Sequence, residues 1–225
     1  MFVERIIGYI SVFLALMLVL PLHEFAHGFA AVKSGDPTPK LYGRYTINPL
    51  AHFDLIGLAC FVFAGFGWAK PVPINPANFK NYKKGCFFTS IAGVTANYIL
   101  AFLAFPLFLL ASNYIPYGTA FDLFRQVLVQ SLYYIYALSL TFFVFNILPI
   151  YPLDGFRVID VFSKRRSSLY WFLKNKGIYV LYGLFLLSIV ADFSGLYYLD
   201  VLGYTINKAV GVIEKPILWF WGWIF

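Results

Sequence analysis

Two histidines and a glutamate near the N-terminus have a spacing that could bind a metal ion. His23 and His27 are four residues apart, so a helix places both imidazoles on one face, with Glu24 directly after the first. In this His-Glu-x-x-His arrangement two neutral imidazoles bind Zn²⁺, and the carboxylate accepts a proton from a water molecule. Residues 6–32 are otherwise almost wholly apolar, and ionisable groups in such a stretch are costly unless paired, metal-bound or functional. The alternative is a polar cluster at a helix end that reaches the membrane surface.

A catalytic zinc site usually has three protein ligands, so the two histidines require a third. The candidates are one further histidine and several carboxylates, namely His52, Asp54, Asp154, Asp160 and Asp192. Asp154 comes just after prolines that break a helix, and Gly155 lets the backbone turn sharply there. These features favour Asp154 as the third ligand, with His52 as the alternative.

The composition is that of an integral membrane protein. Hydrophobic residues make up 61% of the chain and charged residues 12%, and the mean hydropathy is +0.75, whereas soluble domains carry about 25% charged residues. The net charge of +7 does not indicate nucleic-acid binding, because the basic residues gather in short segments between apolar stretches. Cys60 and Cys86 have no Cys-x-x-Cys spacing and are interpreted as small buried hydrophobic residues. We expect the lipid bilayer as a partner, and no nucleic acid.

The apolar stretches predict an all-α polytopic membrane protein, a bundle of about four to six transmembrane helices. The main predicted spans are residues 6–32, 86–112, 122–150 and 177–190, and a continuation of the last span to residue 198 is the alternative. We expect one membrane-embedded domain over residues 1–225. Its catalytic core would cover about residues 6–160, followed by C-terminal helices at about 177–225.

Basic residues between these spans predict the topology. Lys33 closes the first span, Lys80, Lys83 and Lys84 precede the second, and the segment 157–176 contains Lys164, Arg165 and Arg166 in a row. Loops rich in lysine and arginine lie in the cytoplasm. This assignment places Asp154 on the same side of the membrane as His23.

Residues 55–76 predict a short re-entrant or extended segment. The apolar part, 55–66, is too short to span as a helix, and prolines at 71, 73 and 76 exclude a regular helix after it. Irregular backbone at membrane depth must be buried in protein or line a watery cavity. An exposed strand edge there would be a template for an extended peptide. A plain surface loop is the alternative.

Several motifs occur in a specific order along the chain. His23-Glu24-Phe25-Ala26-His27 is followed far downstream by Asn146-x-x-Pro149 and Leu153-Asp154-Gly155. Together they resemble the site-2 protease family of intramembrane zinc metalloproteases, peptidase family M50. Residues 48–54, 67–75 and 92–97 resemble segments of its short bacterial branch, which has no PDZ domain. The resemblance covers about residues 15–160.

The resemblance implies roles for the motif residues. His23, His27 and Asp154 would bind one zinc ion per chain, and Glu24 would be the general base. An extended segment at about residues 60–76 would receive an unwound substrate helix.

Three further polar residues keep two interpretations each. Asn97 matches the family pattern Ala-Gly-Pro-x-x-Asn, with Val94 in place of proline. We expect Asn97 and Asn146 to contact the substrate or its developing oxyanion, or else to form hydrogen bonds between helices. His52 could support the metal site or gate it, although a structural role in its loop is favoured.

The motifs therefore predict a zinc metalloendopeptidase that hydrolyses peptide bonds of transmembrane-helix substrates, as in regulated intramembrane proteolysis. The expected location is a bacterial inner membrane, with the active site toward the cytoplasm. The alternative is a non-proteolytic, metal-binding membrane scaffold of the same fold. A metal transporter would need a polar path across the whole bilayer, and the spans contain few ionisable residues beyond the site.

Overall fold

The computed structural model describes residues 2–57, 60, 69–118, 122–163 and 167–225. Four helices in these ranges are long and apolar enough to cross a membrane: α1 (Phe2–Ser34), α4 (Tyr82–Tyr114), α5 (Asp122–Ile147) and α7 (Ser168–Ser194). The predicted all-α polytopic membrane fold is confirmed.

Shorter elements connect and follow these helices. They are α2 (Thr38–Leu41), α3 (Pro49–His52), a 3₁₀ turn (Pro76–Asn78), α6 (Asp154–Phe162), a second 3₁₀ turn (Tyr197–Leu199), α8 (Val201–Ile213) and α9 (Lys215–Gly222). Pro216 lies at the start of α9, where a proline is tolerated because the first N–H groups of a helix have no helical partner. The last two helices pack on α4 and α5, where Trp221 Nε1 donates to the Phe102 carbonyl at 2.9 Å.

Helices α1, α4 and α5 pack closely against one another. Small residues are buried in these helices, including Ser11, Ala15, Ala101, Ala104 and Ser139. Small side chains let helix backbones approach closely in a membrane, where dispersion and hydrogen bonds drive association. This close packing brings the polar residues of α1 and α4 together.

The helix boundaries after Asp154 differ from the sequence expectation. The segment 157–176 was expected to be a basic loop, but α6 continues to Phe162 and α7 already begins at Ser168. The side chain of Ser167 caps α7 by accepting from the Tyr170 N–H at 3.2 Å. Lys174 lies in α7, and its ammonium is 3.4 Å from Asp160 of α6. A paired lysine is compatible with a helix. The charge pattern alone therefore predicted the start of this span at residue 177, later than the observed start of α7 at Ser168. Residues 164–166, with their three basic side chains, lie outside the described ranges.

The predicted re-entrant or extended segment is described only in part. Residues 58, 59 and 61–68 lie outside the described ranges, so the expectation for 55–66 stays a prediction. Residues 70–75 form no helix, and Asn75 has extended angles of φ −112° and ψ 98°. Ala69 forms an isolated antiparallel bridge with Phe53.

Candidate metal centre

His23 and His27 lie on one face of α1, both buried, at 7% and 5% exposure. Their rings meet edge to face with centroids 4.6 Å apart, and their Nε2 atoms are 3.0 Å apart. This is the i, i+4 relationship that the sequence spacing predicts. The predicted pair is therefore formed by α1 alone.

Helix α4 fixes the orientation of both imidazoles. His27 Nδ1 lies 2.7 Å from the Thr89 carbonyl oxygen, to which it can only donate, so its Nε2 carries a lone pair. His23 Nδ1 lies 3.1 Å from Asn97 Nδ2, while Asn97 Oδ1 is buried without a partner in the described structure. Rotating this amide by 180° lets His23 Nδ1–H donate to Asn97 Oδ1 and satisfies both groups. Such outer hydrogen bonds select the tautomer that leaves Nε2 free to bind a metal.

Asp154 is the first residue of α6, and its carboxylate is buried beside the two imidazoles. Its Oδ2 lies 3.5 Å from His23 Nε2 and 3.1 Å from His27 Nε2. The turn into α6 needs Gly155, because a Cβ there would lie 2.0 Å from the Ile147 carbonyl oxygen. That glycine lets the chain come close enough to the end of α5 to deliver the carboxylate.

The three groups have the geometry of a zinc site. Tetrahedral zinc, with bonds of about 2.0–2.2 Å, separates its ligand atoms by about 3.3 Å, close to the 3.0–3.5 Å found here. Asp154 Oδ2 is buried without a hydrogen-bond partner in the described structure. Two imidazole lone pairs and one carboxylate oxygen face one another. These groups repel one another unless a cation lies between them. The donor set therefore fits Zn²⁺.

Gly93 of α4 provides the space beside these ligands. A Cβ at this position would lie 2.4 Å from His27 Nε2 and 2.7 Å from His23 Nε2. Any larger residue would overlap the nitrogens that face the centre. No signal in the sequence indicated a role for Gly93, which lies on α4 between Thr89 and Asn97.

Glu24 lies next to His23 and three residues before His27, half-buried on the same region of α1. Its Oε2 accepts a hydrogen bond from the backbone N–H of Val72 at 2.9 Å. No pattern in the sequence signals this contact, because a backbone donor leaves no trace in residue type.

The other candidate ligands lie apart from this group, and Asp192 is exposed near the end of α7. His52 is fully buried at the end of α3, and its Nε2 donates to the Thr46 carbonyl at 2.7 Å. Asp54 Oδ1 accepts from the N–H groups of Ile56 and Gly57, and Asp160 pairs with Lys174. The potential metal-binding group found among the described residues is His23, His27 and Asp154.

Asn146 and Asn97 differ in their surroundings. Asn146 Nδ2 donates to the Phe142 carbonyl one turn earlier in α5, at 3.0 Å. Asn97 forms a bond between helices, as one of its two interpretations expected. Contact of either residue with a substrate stays a prediction.

A cleft of about 670 Å³ lies between the segment 71–79, the start of α4 and helix α6. Its lining includes Val72, the donor to Glu24, and Thr89, the acceptor for His27. Cys86 and Arg157 also line it. The cleft therefore has walls in common with the immediate surroundings of the metal-binding group.

Fold and site together define a polytopic membrane protein with a buried metal-binding group of two histidines and one carboxylate. The sequence profile described as Peptidase family M50 matches residues 11–190, and the chain belongs to this family. The match extends beyond the 15–160 covered by the motif resemblance. No solved structure matches the chain.

Curated relatives carry related names. The chain is 40% identical over 152 residues to "Putative zinc metalloprotease YwhC" of Bacillus subtilis (strain 168), covering 65% of this chain and 66% of that protein. It is 28% identical over 166 residues to "Putative zinc metalloprotease Rip2" of Mycolicibacterium smegmatis, covering 69% and 60%. It is 31% identical over 157 residues to the protein of the same name from Mycobacterium tuberculosis (strain H37Rv), covering 68% and 57%. The matched region thus spans 57–66% of the length of these relatives.

Proposed function

We propose that the protein is a zinc metalloendopeptidase that cleaves transmembrane-helix substrates within the bilayer. The observation that carries the proposal is a further carboxylate, Glu24, which follows His23 on α1 beside two imidazoles that converge with Asp154 on one point. A metal-storage or structural site has no need of an additional carboxylate at that position. Family membership and the names of the relatives support the same activity.

In this proposal His23, His27 and Asp154 hold the zinc ion, and Thr89 and Asn97 hold the two imidazoles in place. Bound zinc supplies a Lewis acid that polarises the scissile carbonyl and favours ionisation of water. Glu24 accepts the proton of the attacking water on a carboxylate oxygen. It then delivers that proton to the amide nitrogen as the C–N bond breaks.

The cleft beside the metal centre is the proposed route for the substrate chain. A helical carbonyl is already hydrogen-bonded, so a transmembrane substrate must unwind before water can attack it. The N–H groups of Lys70 and Val72 bond to His52 and Glu24, and Pro71 and Pro73 have none. In an extended chain, the edge formed by the backbone groups of Pro71 and Pro73 therefore offers only carbonyl oxygens. A substrate strand can pair with this edge only by donating its own N–H groups.

The proposed orientation places the site toward the cytoplasm of a bacterial cell. The end of α1 lies beside the start of α4, because the Lys80 N–H donates to the Ser34 carbonyl at 2.9 Å. Lys33, Lys80, Lys83 and Lys84 gather there, which is the cytoplasmic signature. His27 lies about two turns from this end of α1. A single domain, with its catalytic core at about residues 6–160, is proposed with it.

The test compares wild type with Glu24→Gln and Asp154→Ala in proteoliposomes that contain single-span test substrates. We expect Glu24→Gln to keep about one zinc per chain and lose cleavage by about 10²–10⁴-fold, the usual contribution of a general base. Asp154→Ala should lose zinc, and His52→Gln, the matched control histidine, should keep it. Mass spectrometry of the products should place the cut within the apolar span.

Three results would count against the proposal. Wild type that binds zinc and cuts no membrane substrate would favour the non-proteolytic scaffold. Cleavage retained by Glu24→Gln would remove its role as base. If Asp154→Ala retained zinc and His52→Gln lost it, the third ligand would be His52 and not Asp154.

A further inference from the structure

The backbone of one short segment reaches directly to the proposed general base. Val72 lies outside α1, 48 residues beyond Glu24, yet its N–H donates to Glu24 Oε2 at 2.9 Å. A hydrogen bond to a carboxylate is charge-assisted and stronger than one between neutral groups. It leaves both lone pairs of the second oxygen of Glu24 available for proton exchange.

The sequence around Val72 allows only one donor at this point. Pro71 and Pro73 flank it, and neither proline has an N–H. A shift of the segment by one residue in either direction would therefore leave Glu24 facing a nitrogen that cannot donate. The Pro-Val-Pro sequence fixes both the identity of the donor and the register of the segment.

A backbone contact and the Val72 side chain hold this residue in place. Three residues further along the chain, the Asn75 N–H donates to Asp36 Oδ2 at 2.7 Å. The Val72 side chain is buried against α1, where a Cβ added at Gly28 would touch its Cγ1 at 3.5 Å. The donor is thus fixed before a substrate arrives.

We propose that the Val72 backbone N–H is a positioning group for catalysis, which holds the Glu24 carboxylate in the orientation that proton transfer requires. This proposal rests on the peptidase function proposed above. It assigns a task to the Pro-Val-Pro segment that is separate from holding the substrate. The competing explanation is that the bond only anchors the segment to α1.

The test removes single N–H groups without changing side chains. Replacement of Val72 by its α-hydroxy acid turns the 71–72 amide into an ester and deletes this donor. The same replacement at Lys70 deletes a bond of 2.7 Å in the same segment, one that ends on the His52 carbonyl rather than on Glu24. We expect the Val72 ester to lower kcat by about tenfold or more, with KM and zinc content near wild type. The Lys70 ester should keep kcat within about twofold.

A second measurement does not depend on activity. Glu4, Glu24 and Glu214 are the glutamates of the chain, so ¹³C-carboxylate NMR of labelled protein gives few signals, and Glu24→Gln assigns the relevant one. The Val72 ester should shift this signal, and the Lys70 ester should leave it in place. If the ester proteins do not fold, Val72→Pro deletes the same N–H, and Val72→Ala controls for the lost side chain.

The outcomes separate the two proposals. Equal loss of kcat in both esters, or loss of zinc in the Val72 ester, would reduce the bond to an anchor and overturn the positioning role. An unchanged Glu24 signal in the Val72 ester would also overturn it. If wild type cuts no substrate while the Glu24 signal still depends on Val72, the peptidase proposal fails and the hydrogen bond stands.

Discussion

A Cβ added to Gly93 would lie 2.4 Å from Nε2 of His27, closer than real side-chain contacts allow. Gly93 belongs to α4 and His27 to α1, so the metal centre depends on how closely these two helices approach. The metal centre therefore requires a residue without a Cβ at position 93 as well as its three ligands.

Gly93→Ala should abolish or strongly weaken zinc binding while the helices remain folded. The added methyl group must displace the imidazoles, because the contact is with the ring nitrogens rather than with a flexible side-chain end. Zinc content by atomic emission and helicity by circular dichroism measure the two effects. Gly183→Ala in α7 is the matched control, since a Cβ there meets no atom of the described residues within 4 Å. Full zinc occupancy in Gly93→Ala would contradict this account of the centre.

Asn97→Leu should weaken zinc binding by about 10–100-fold, the usual cost of losing a group that orients a ligand. The amide contacts His23 Nδ1, so its loss frees the ring to rotate and to change tautomer. Asn146→Leu is the matched comparison, because this amide bonds to its own helix at Phe142. Competition with a fluorescent zinc chelator measures both affinities. Equal loss in both variants would place Asn146 in the same role.

Asp36→Asn should destabilise the protein at neutral pH by about 1–3 kcal/mol. Burial alone would raise the pKa of this carboxyl, but hydrogen bonds from Asn78, from the side chain and N–H of Thr38 and from the N–H of Asn75 lower it below the ordinary value of 3.8. A carboxyl with a lowered pKa in the folded state stabilises at pH values above its ordinary pKa. That stabilisation disappears as the pH falls through the lowered pKa.

The difference in thermal midpoint between wild type and Asp36→Asn should therefore be constant near neutral pH and shrink below about pH 4. Melting curves in detergent over that range provide the measurement. Asn78→Ala, which removes one donor to Asp36, should give a smaller loss of the same sign. A difference that grows on acidification would contradict the assigned cause.

Cys86 labelled with a bulky maleimide should block cleavage of a membrane substrate. This residue lines the cleft beside the metal centre and is half-buried, so a reagent can reach it. Cleavage rates before and after labelling measure the effect. The Cys86→Ser protein keeps Cys60, and its cleavage rate should not change on treatment with the reagent. Equal inhibition of both proteins would assign the effect to a site other than the cleft.

The sequence by itself determined the parts of the protein that depend on local spacing and on hydrophobic length. The i, i+4 spacing of His23 and His27 makes a pair in any helix, and the long apolar stretches specify the membrane spans. Prolines before Asp154 and the glycine after it indicated a turn that could present a carboxylate. These signals lie within a few residues of one another, so periodicity and backbone restrictions reveal them.

Only the tertiary structure decided which groups surround these residues. Thr89 and Val72 contribute a carbonyl and an N–H, which every residue other than proline possesses, so their types carry no signal. Gly93 leaves space for the imidazoles because it has no Cβ, and this space matters only because α4 lies against α1. The predicted start of α7 was too late because the charge of Lys174 indicated a loop, whereas this charge is paired with Asp160 of a different helix. Contacts between distant segments depend on how helices pack, and no local pattern in the chain records that packing.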